Sequence, residues 1–401
     1  MNNRPSRRFY CFSFVVAFAF FGQELRAAGV YADELIFPLR ADHNHAAGIV
    51  ECPNGDLLVS WYRGSGERTA DDVAVYGARQ RKGATAWSDP FVMADTPGFP
   101  DCNTAMFVDK TGRLWLFWPV IIANSWESCI TNYRVAKGYT GDGAPQWDWQ
   151  GILLLKPKDF EQTMSAALEQ RLKAATQPSA DDLRGAERIA RYRKLVGDKL
   201  MSRLGWQPRC KPTVLPSGRI LLPLYSDTYS AGLMAISDDD GATWYASRPL
   251  VGFGNIQPTV LRRNDETLVA YMRENGPLHH IRVSESKDDG ITWGPVGVID
   301  LPNPGAGIDG VRLDDGRWLL VYNDTVRQRN SLAVSISDDE GHSWKWTRHL
   351  EHRDQGSFHY PAVIQAKNHQ IHVVYSYYLG KGQTIKHATF DVDWVLKGDA
   401  P

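Results

Sequence analysis

Three octets in the second half of the chain are near copies of one another: Ser237-Asp-Asp-Asp-Gly-Ala-Thr-Trp244, Ser286-Lys-Asp-Asp-Gly-Ile-Thr-Trp293 and Ser337-Asp-Asp-Glu-Gly-His-Ser-Trp344, with starts 49 and 51 residues apart. A period of that size is one supersecondary unit long, and such a unit buries its apolar face only against copies of itself, as in a propeller or a solenoid. Within each octet Ser and Asp offer side-chain oxygens to the loop amides, Gly supplies a positive φ, and Trp anchors the turn against the core. The octets are therefore read as structural hairpin turns.

A second periodic element extends the first across the whole chain. Two strand-like runs joined by a turn recur from His45, Asn103, Lys211, Gln257, Ile308 and Tyr360, with starts advancing by 58, 108, 46, 51 and 52 residues. Gly55, Gly112, Gly218 and Gly316 sit at four of these turns, a strong hairpin signal, while the fourth and sixth units keep polar turns. Six units of one blade length predict an all-β fold, a six-bladed β-propeller, with about 50 extra residues in one interval. That surplus, about 156–205, shows helical spacing in Asp159-FEQTMSAALEQRLKAA and in Asp181-DLRGAERIARYRKLVGDKLMSRLG, split by Gln177-Pro-Ser-Ala. It predicts a helical hairpin between blades 2 and 3, either a solvated decoration or partner surface, or a lid over the binding face.

Residues 1–28 differ from the rest: Arg4, Arg7 and Arg8 precede an apolar stretch from Phe9 to Gly22, followed by Leu25-Arg-Ala-Ala28. This is the pattern of a cleaved export signal, which predicts a secreted or periplasmic propeller over 29–401. No other window approaches the roughly 18–20 apolar residues of a membrane span. A formal charge of -1 without a basic stripe argues against nucleic acid. Cys52, Cys102, Cys129 and Cys210 remain after the signal, enough for zero to two disulfides, and they lack zinc-ligand spacing; no metal or other cofactor is expected.

Function is expected at the propeller axis, where the innermost strand of each blade brings its first residues together. His45, Asn103, Lys211, Gln257, Asp309 and Tyr360 stand at or beside the six unit starts, and the loops after the second strands add Arg63, Arg273 and Arg329. So much positive charge on a nearly neutral protein predicts capture of an anion. Asp101 and Arg209 are placed beside the same funnel, and Glu274 enters it only if its side chain turns inward.

Octets and unit starts together resemble the sialidase (neuraminidase) superfamily, specifically its sialidase-like members with BNR repeats. The octets match the Asp-box pattern S-x-D-x-G-x-[TS]-W, and the resemblance runs from about Ala41 to Trp394 apart from the helical insertion. It implies three arginines on a substrate carboxylate, a Tyr nucleophile paired with a Glu, and an Asp acid/base on a first-blade loop. Carried onto this chain, Tyr360 takes the nucleophile position, Arg273 and Arg329 the second and third arginines, and Asp72 or Asp71 the acid/base position.

Two positions depart from that pattern: His45 stands where the first arginine is expected, and Gln257 where the Glu is expected. An arginine grips a carboxylate with two parallel charge-assisted hydrogen bonds and a histidine with one. Glutamine takes no proton, and a phenol with no base beside it is only about 0.1% ionised at neutral pH. Three readings follow. One is a hydrolase releasing an acidic sugar from a glycan, with Tyr360 as nucleophile. The second is a uronate lyase using His45 and Tyr360 for proton transfer. The third is a carbohydrate-binding propeller without turnover.

Overall fold

In the computed structural model the described residues are Met1, 29–174 and 182–399. The export signal expected over residues 1–28 lies outside them but for Met1. Among the described residues no helix is long and apolar enough to cross a membrane.

Six antiparallel sheets follow one another along the chain. Their innermost strands are His43–Glu51, Ala105–Val108, the broken pair Gln207–Pro208 and Thr213–Val214, then Asn255–Arg262, Asp309–Arg312 and Ser357–Gln365. Inner strands pack side by side between blades 1 and 2, 4 and 5, 5 and 6, and 6 and 1, while blade 3 meets blade 2 through Gln207–Pro208 against Leu114–Ile121 and blade 4 through Ile220–Ser226 against Asn255–Arg262, closing a ring. This is the predicted six-bladed propeller. The final blade is composite: Tyr31–Leu35, from the start of the propeller, pairs with Gly382–Phe390 from its end. Prolines 208, 258 and 361 lie on inner strands, where a sheet edge asks for no ladder donor on its outer side.

Apolar clusters fill the wedges between neighbouring blades. Leu221 and Met234 of the third blade meet Val260 and Ala270 of the fourth, and Leu319 and Val321 of the fifth meet Val363 and Val373 of the sixth. Burying each such side chain contributes about 1.5–3 kcal/mol. All three octets join the third and fourth strands of their blades and share one hydrogen-bond pattern. In the first, Ser237 Oγ accepts from Gly241 N at 2.8 Å, and Asp239 accepts from Thr243 N and Oγ1 at 2.8 and 2.6 Å. Trp244 then stands edge-on to Trp115 and Phe117 of the preceding blade.

The insertion forms helices Phe160–Ala174 and Asp182–Gly197 between blades 2 and 3. Phe160, Met164, Leu168 and Val196 are buried in one cluster with Trp206 and Tyr229. One side of the hairpin thus joins the core on the flank of the third blade, the rest of its described surface is largely exposed, and none of its described residues lines the axial cavity. Cys52, Cys102, Cys129 and Cys210 are free and buried.

Candidate functional site

A shared backbone irregularity builds the site. Ala46, Asn103, Gln257 and Tyr360 all have positive φ, at 55, 25, 55 and 56°. In blades 1, 4 and 6 the ladder slips at that residue, between His45 and Gly48, Ile256 and Thr259, and His359 and Ala362. A non-glycine residue held there costs on the order of 1–3 kcal/mol, and such bulges commonly re-aim a side chain toward a site. Here three of the four, Asn103, Gln257 and Tyr360, meet in one buried hydrogen-bond network at the axis.

His45, Glu67, Asn103, Trp126, Tyr225, Asp227, Arg273, Arg329 and Tyr360 enclose a cavity of about 240 Å³. Tyr360 is its centre. Arg273 Nη1 donates to the phenolic oxygen at 2.6 Å and Gln257 Nε2 donates to the same oxygen at 3.3 Å. Gln257 Oε1 faces Arg273 Nη1 at 3.5 Å, which fixes the amide orientation. Gln257 and Asn103 each donate to Tyr225 Oη at 3.1 Å, so a continuous polar row lines one wall from blade 2 to blade 6.

Three guanidinium carbons surround the Tyr360 ring, Arg209 at 5.1, Arg329 at 5.7 and Arg273 at 5.8 Å from its centroid. Arg209 lies in the floor, bonded to the carbonyls of Ala47 and Pro361. Arg273 and Arg329 face the cavity, and among the described residues neither has a carboxylate within 4.0 Å. Burial pulls the pKa of Arg329 below the ordinary guanidinium range, and the Tyr360 oxygen partly offsets this. Two unpaired cations in a concave, half-buried place are a site prepared for an anion.

His45 reaches the cavity with its ring centroid 4.2 Å from that of Tyr360 and Nδ1 2.8 Å from Ser376 Oγ. Burial drives its pKa well below 6.5, and His359, His43, Arg329 and Arg209 push the same way. It is therefore neutral at physiological pH, so a protonated His45 does not replace the missing arginine.

Other expected site residues lie elsewhere. Arg63 misses the cavity by register. The residue before each slip pairs across the ladder with Tyr62 in blade 1 and Arg273 in blade 4, so Tyr62 holds the place of Arg273. Arg63, one residue on, points to the opposite face of the sheet and pairs with Asp42 at 2.5 Å. Lys211 turns down the axis instead of into the cavity and pairs with Asp309 at 2.7 Å, which also accepts from Thr259 Oγ1 and Val363 N. In blade 3 the inner strand is interrupted around Arg209–Pro212, which frees Lys211 to reach this acid. Asp72 accepts from Ser65 N and Oγ, Asp71 from Asn124 Nδ2, and neither lines the cavity. Asp101 braces Thr96 and Trp118, and Glu274 is tied to Arg282 and Gly276 N.

The acids at the cavity are Glu67 and Asp227, which sequence reasoning missed. Glu67 shares the first-blade loop with Asp71 and Asp72, so only geometry separates them. Asp227 follows the second strand of its blade, as Arg273 nearly does, and that position was its available signal. A wider depression of about 620 Å³ opens at the far end between first and last blades, but its Arg81 is paired with Asp56 and Asp142 and its Glu34 is held by Gln80, Trp87 and His387. The unpaired cations place the candidate site at the axis.

Residues 196–373 match the family model described as a BNR repeat-like domain. No curated protein matches the chain. Among solved structures, a Dyadobacter fermentans protein of unknown function aligns over 90% of this chain and 97% of its own, with 16% identity and a TM-score of 0.68. The NanB sialidase of Streptococcus pneumoniae aligns over 90% of this chain and 71% of its own, at 13% identity and TM-score 0.66. A leech intramolecular trans-sialidase, solved with 2,7-anhydro-Neu5Ac, aligns over 89% and 69%, at 11% identity and TM-score 0.64. The chain is a six-bladed propeller that shares the fold of the sialidases and matches the BNR repeat-like model over residues 196–373.

Proposed function

We propose that this protein is a glycoside hydrolase that releases a carboxylate-bearing sugar from the end of a glycan. The observation that carries this reading is the pair Arg273 and Arg329, without an acid partner among the described residues and converging on Tyr360 inside one cavity. Two guanidinium groups bind a carboxylate through charge-assisted hydrogen bonds, and a sugar held so presents its anomeric carbon to the phenolic oxygen. A neutral phenol suits that nucleophilic role because a carboxylate nucleophile would repel the substrate's own charge.

Gln257 changes how the nucleophile is set up. Its amide donates to the Tyr360 oxygen at 3.3 Å, where a glutamate would accept the phenolic proton. With Arg273 donating as well, the oxygen receives two hydrogen bonds, and its own hydrogen is left to point into the cavity. Arg273 then stabilises the negative charge that builds on this oxygen when the tyrosyl intermediate is hydrolysed. An export leader over residues 1–28 would deliver such an enzyme to where glycans are displayed.

The reading is tested with 4-methylumbelliferyl glycosides of sialic, related nine-carbon keto and uronic acids. Tyr360→Phe and Arg273→Ala should each lower kcat/KM by more than about 100-fold, a loss of ~3 kcal/mol of transition-state stabilisation. Release of an unsaturated sugar absorbing in the near ultraviolet would replace hydrolysis by elimination. Calorimetric binding of the glycan without turnover would make the propeller a recognition module.

A further inference from the structure

Cleaving a glycosidic bond needs a proton for the departing oxygen, and the first-blade aspartates expected to supply it are engaged outside the cavity. Two carboxyl groups remain. Glu67 has both oxygens occupied, Oε1 accepting from Tyr62 Oη at 2.6 Å and Oε2 from Arg68 Nη1 at 2.9 Å. Asp227 is different. Only its Oδ2 is engaged, by the neutral amide of Gln207 at 3.0 Å, and among the described residues no cation lies within 4.0 Å of it. The carboxyl lines the same cavity as Tyr360 and is linked through Gln207 and Asn103 to the row Tyr225, Gln257, Tyr360.

We propose that Asp227 is the catalytic acid of this site. Resting on the hydrolase reading above, the step is as follows. The phenolic oxygen of Tyr360 bonds to the anomeric carbon while the carbon–oxygen bond to the leaving group breaks. The proton of the Asp227 carboxyl passes to that oxygen, which leaves as an alcohol, and the phenolic proton of Tyr360 is lost to solvent. Asp227, now a carboxylate, takes a proton from the water that attacks the anomeric carbon of the tyrosyl adduct. That water's oxygen ends on the sugar, the bond to Tyr360 breaks, and a solvent proton restores the phenol.

The surroundings keep such a proton available. Burial raises the Asp227 carboxyl to about 6; Arg273 from blade 4 and Arg68 from the blade 1 loop pull it down, while Glu127 and Glu67 push it up. Tyr225 on its own blade and the Cys129 thiol of blade 2 complete the titratable neighbours, and both stay protonated in the working range because burial lifts them further. An acid poised near 6 is half-protonated where a neutral enzyme begins to work.

The experiment compares two glycosides of one acidic sugar, one with a 4-methylumbelliferyl leaving group and one with a sugar leaving group. Asp227→Asn should lose more than about 100-fold in kcat/KM on the sugar leaving group and less than about tenfold on the 4-methylumbelliferyl one, which departs without help. The wild type should show a fall in kcat/KM as pH rises through about 6, and Asp227→Asn should lose it. Glu67→Gln should slow both glycosides by the same factor. Equal losses on both glycosides in Asp227→Asn, or leaving-group dependence confined to Glu67→Gln, overturn the assignment of Asp227 alone. If the wild type cleaves neither glycoside, the hydrolase reading itself fails and Asp227 has no bond to protonate. Carbon-13 NMR titration of the wild-type Asp227 carboxyl guards against a variant that misfolds: a midpoint near 6 supports the proposal, and one near 4 overturns it.

Discussion

Tyr360 could be picked out because it starts its repeated unit and Arg273 because it stands at the end of the second strand of its own, whereas Arg329 lies further on in the loop after Trp318–Tyr322 and was marked by the family resemblance. Side-chain direction was harder to read. Arg63 differs from the useful offset by a single residue, enough to send it to the other face of its sheet, where Asp42 takes it. Buried histidines make a prediction at this scale. His372 is pushed down to about 3, by burial first and then by neighbouring His387. The unfolded chain takes up a proton on that ring near 6.5 and the native state only near 3, so stability should fall as pH drops through that window. Thermal melts from pH 7 to 4.5 should show a steady loss of Tm, and His372→Gln should flatten it. His45 and His359, also lowered well below the ordinary value by burial, supply the slope that remains.

Elements were the most legible level, since the octets carry their own chemistry. In each one the Ser hydroxyl, the Asp carboxyl and the Gly conformation satisfy the turn locally, so the sequence pattern and the structure coincide at all three. The polar turns of the fourth and sixth units reach the same shape without glycine, Glu266 and His369 taking φ of 74 and 67°. What could not be read was the slip in the inner strands, because Ala46, Gln257 and Tyr360 are residues that rarely take positive φ and so give no signal. Glycine substitutions separate two costs. Gly316 has φ of 89° and open space around it, so Gly316→Ala should lower the unfolding free energy by only about 1–2 kcal/mol. Gly241 has φ of 84°, and an added Cβ would lie 2.2 Å from the Trp115 ring, so Gly241→Ala should cost about 2–4 kcal/mol. Urea denaturation of the pair measures the difference, and equal costs would mean that the octet turn yields to the new methyl group.

For the whole molecule, the count of six blades and the position of the helical insertion between blades 2 and 3 followed from spacing, but its packing did not, because an amphipathic segment does not say what its apolar face will cover. Here Phe160 stands edge-on to Tyr229 with ring centroids 4.9 Å apart, and Met164 is fully buried beside it. Replacing 160–197 with a short polar linker should therefore uncover Trp206 and Tyr229 and yield a protein that binds hydrophobic dyes and melts earlier. An unchanged Tm would mean that blade 3 holds without its helices. The composite last blade has a consequence for the order of events. Synthesis makes Tyr31–Leu35 long before Gly382–Phe390, yet the two are neighbours in one ladder. The clasp that shuts the circle can be fastened only once Gly382–Phe390 has been made, so a chain that has not reached it waits with both flanks open and depends on quick elongation.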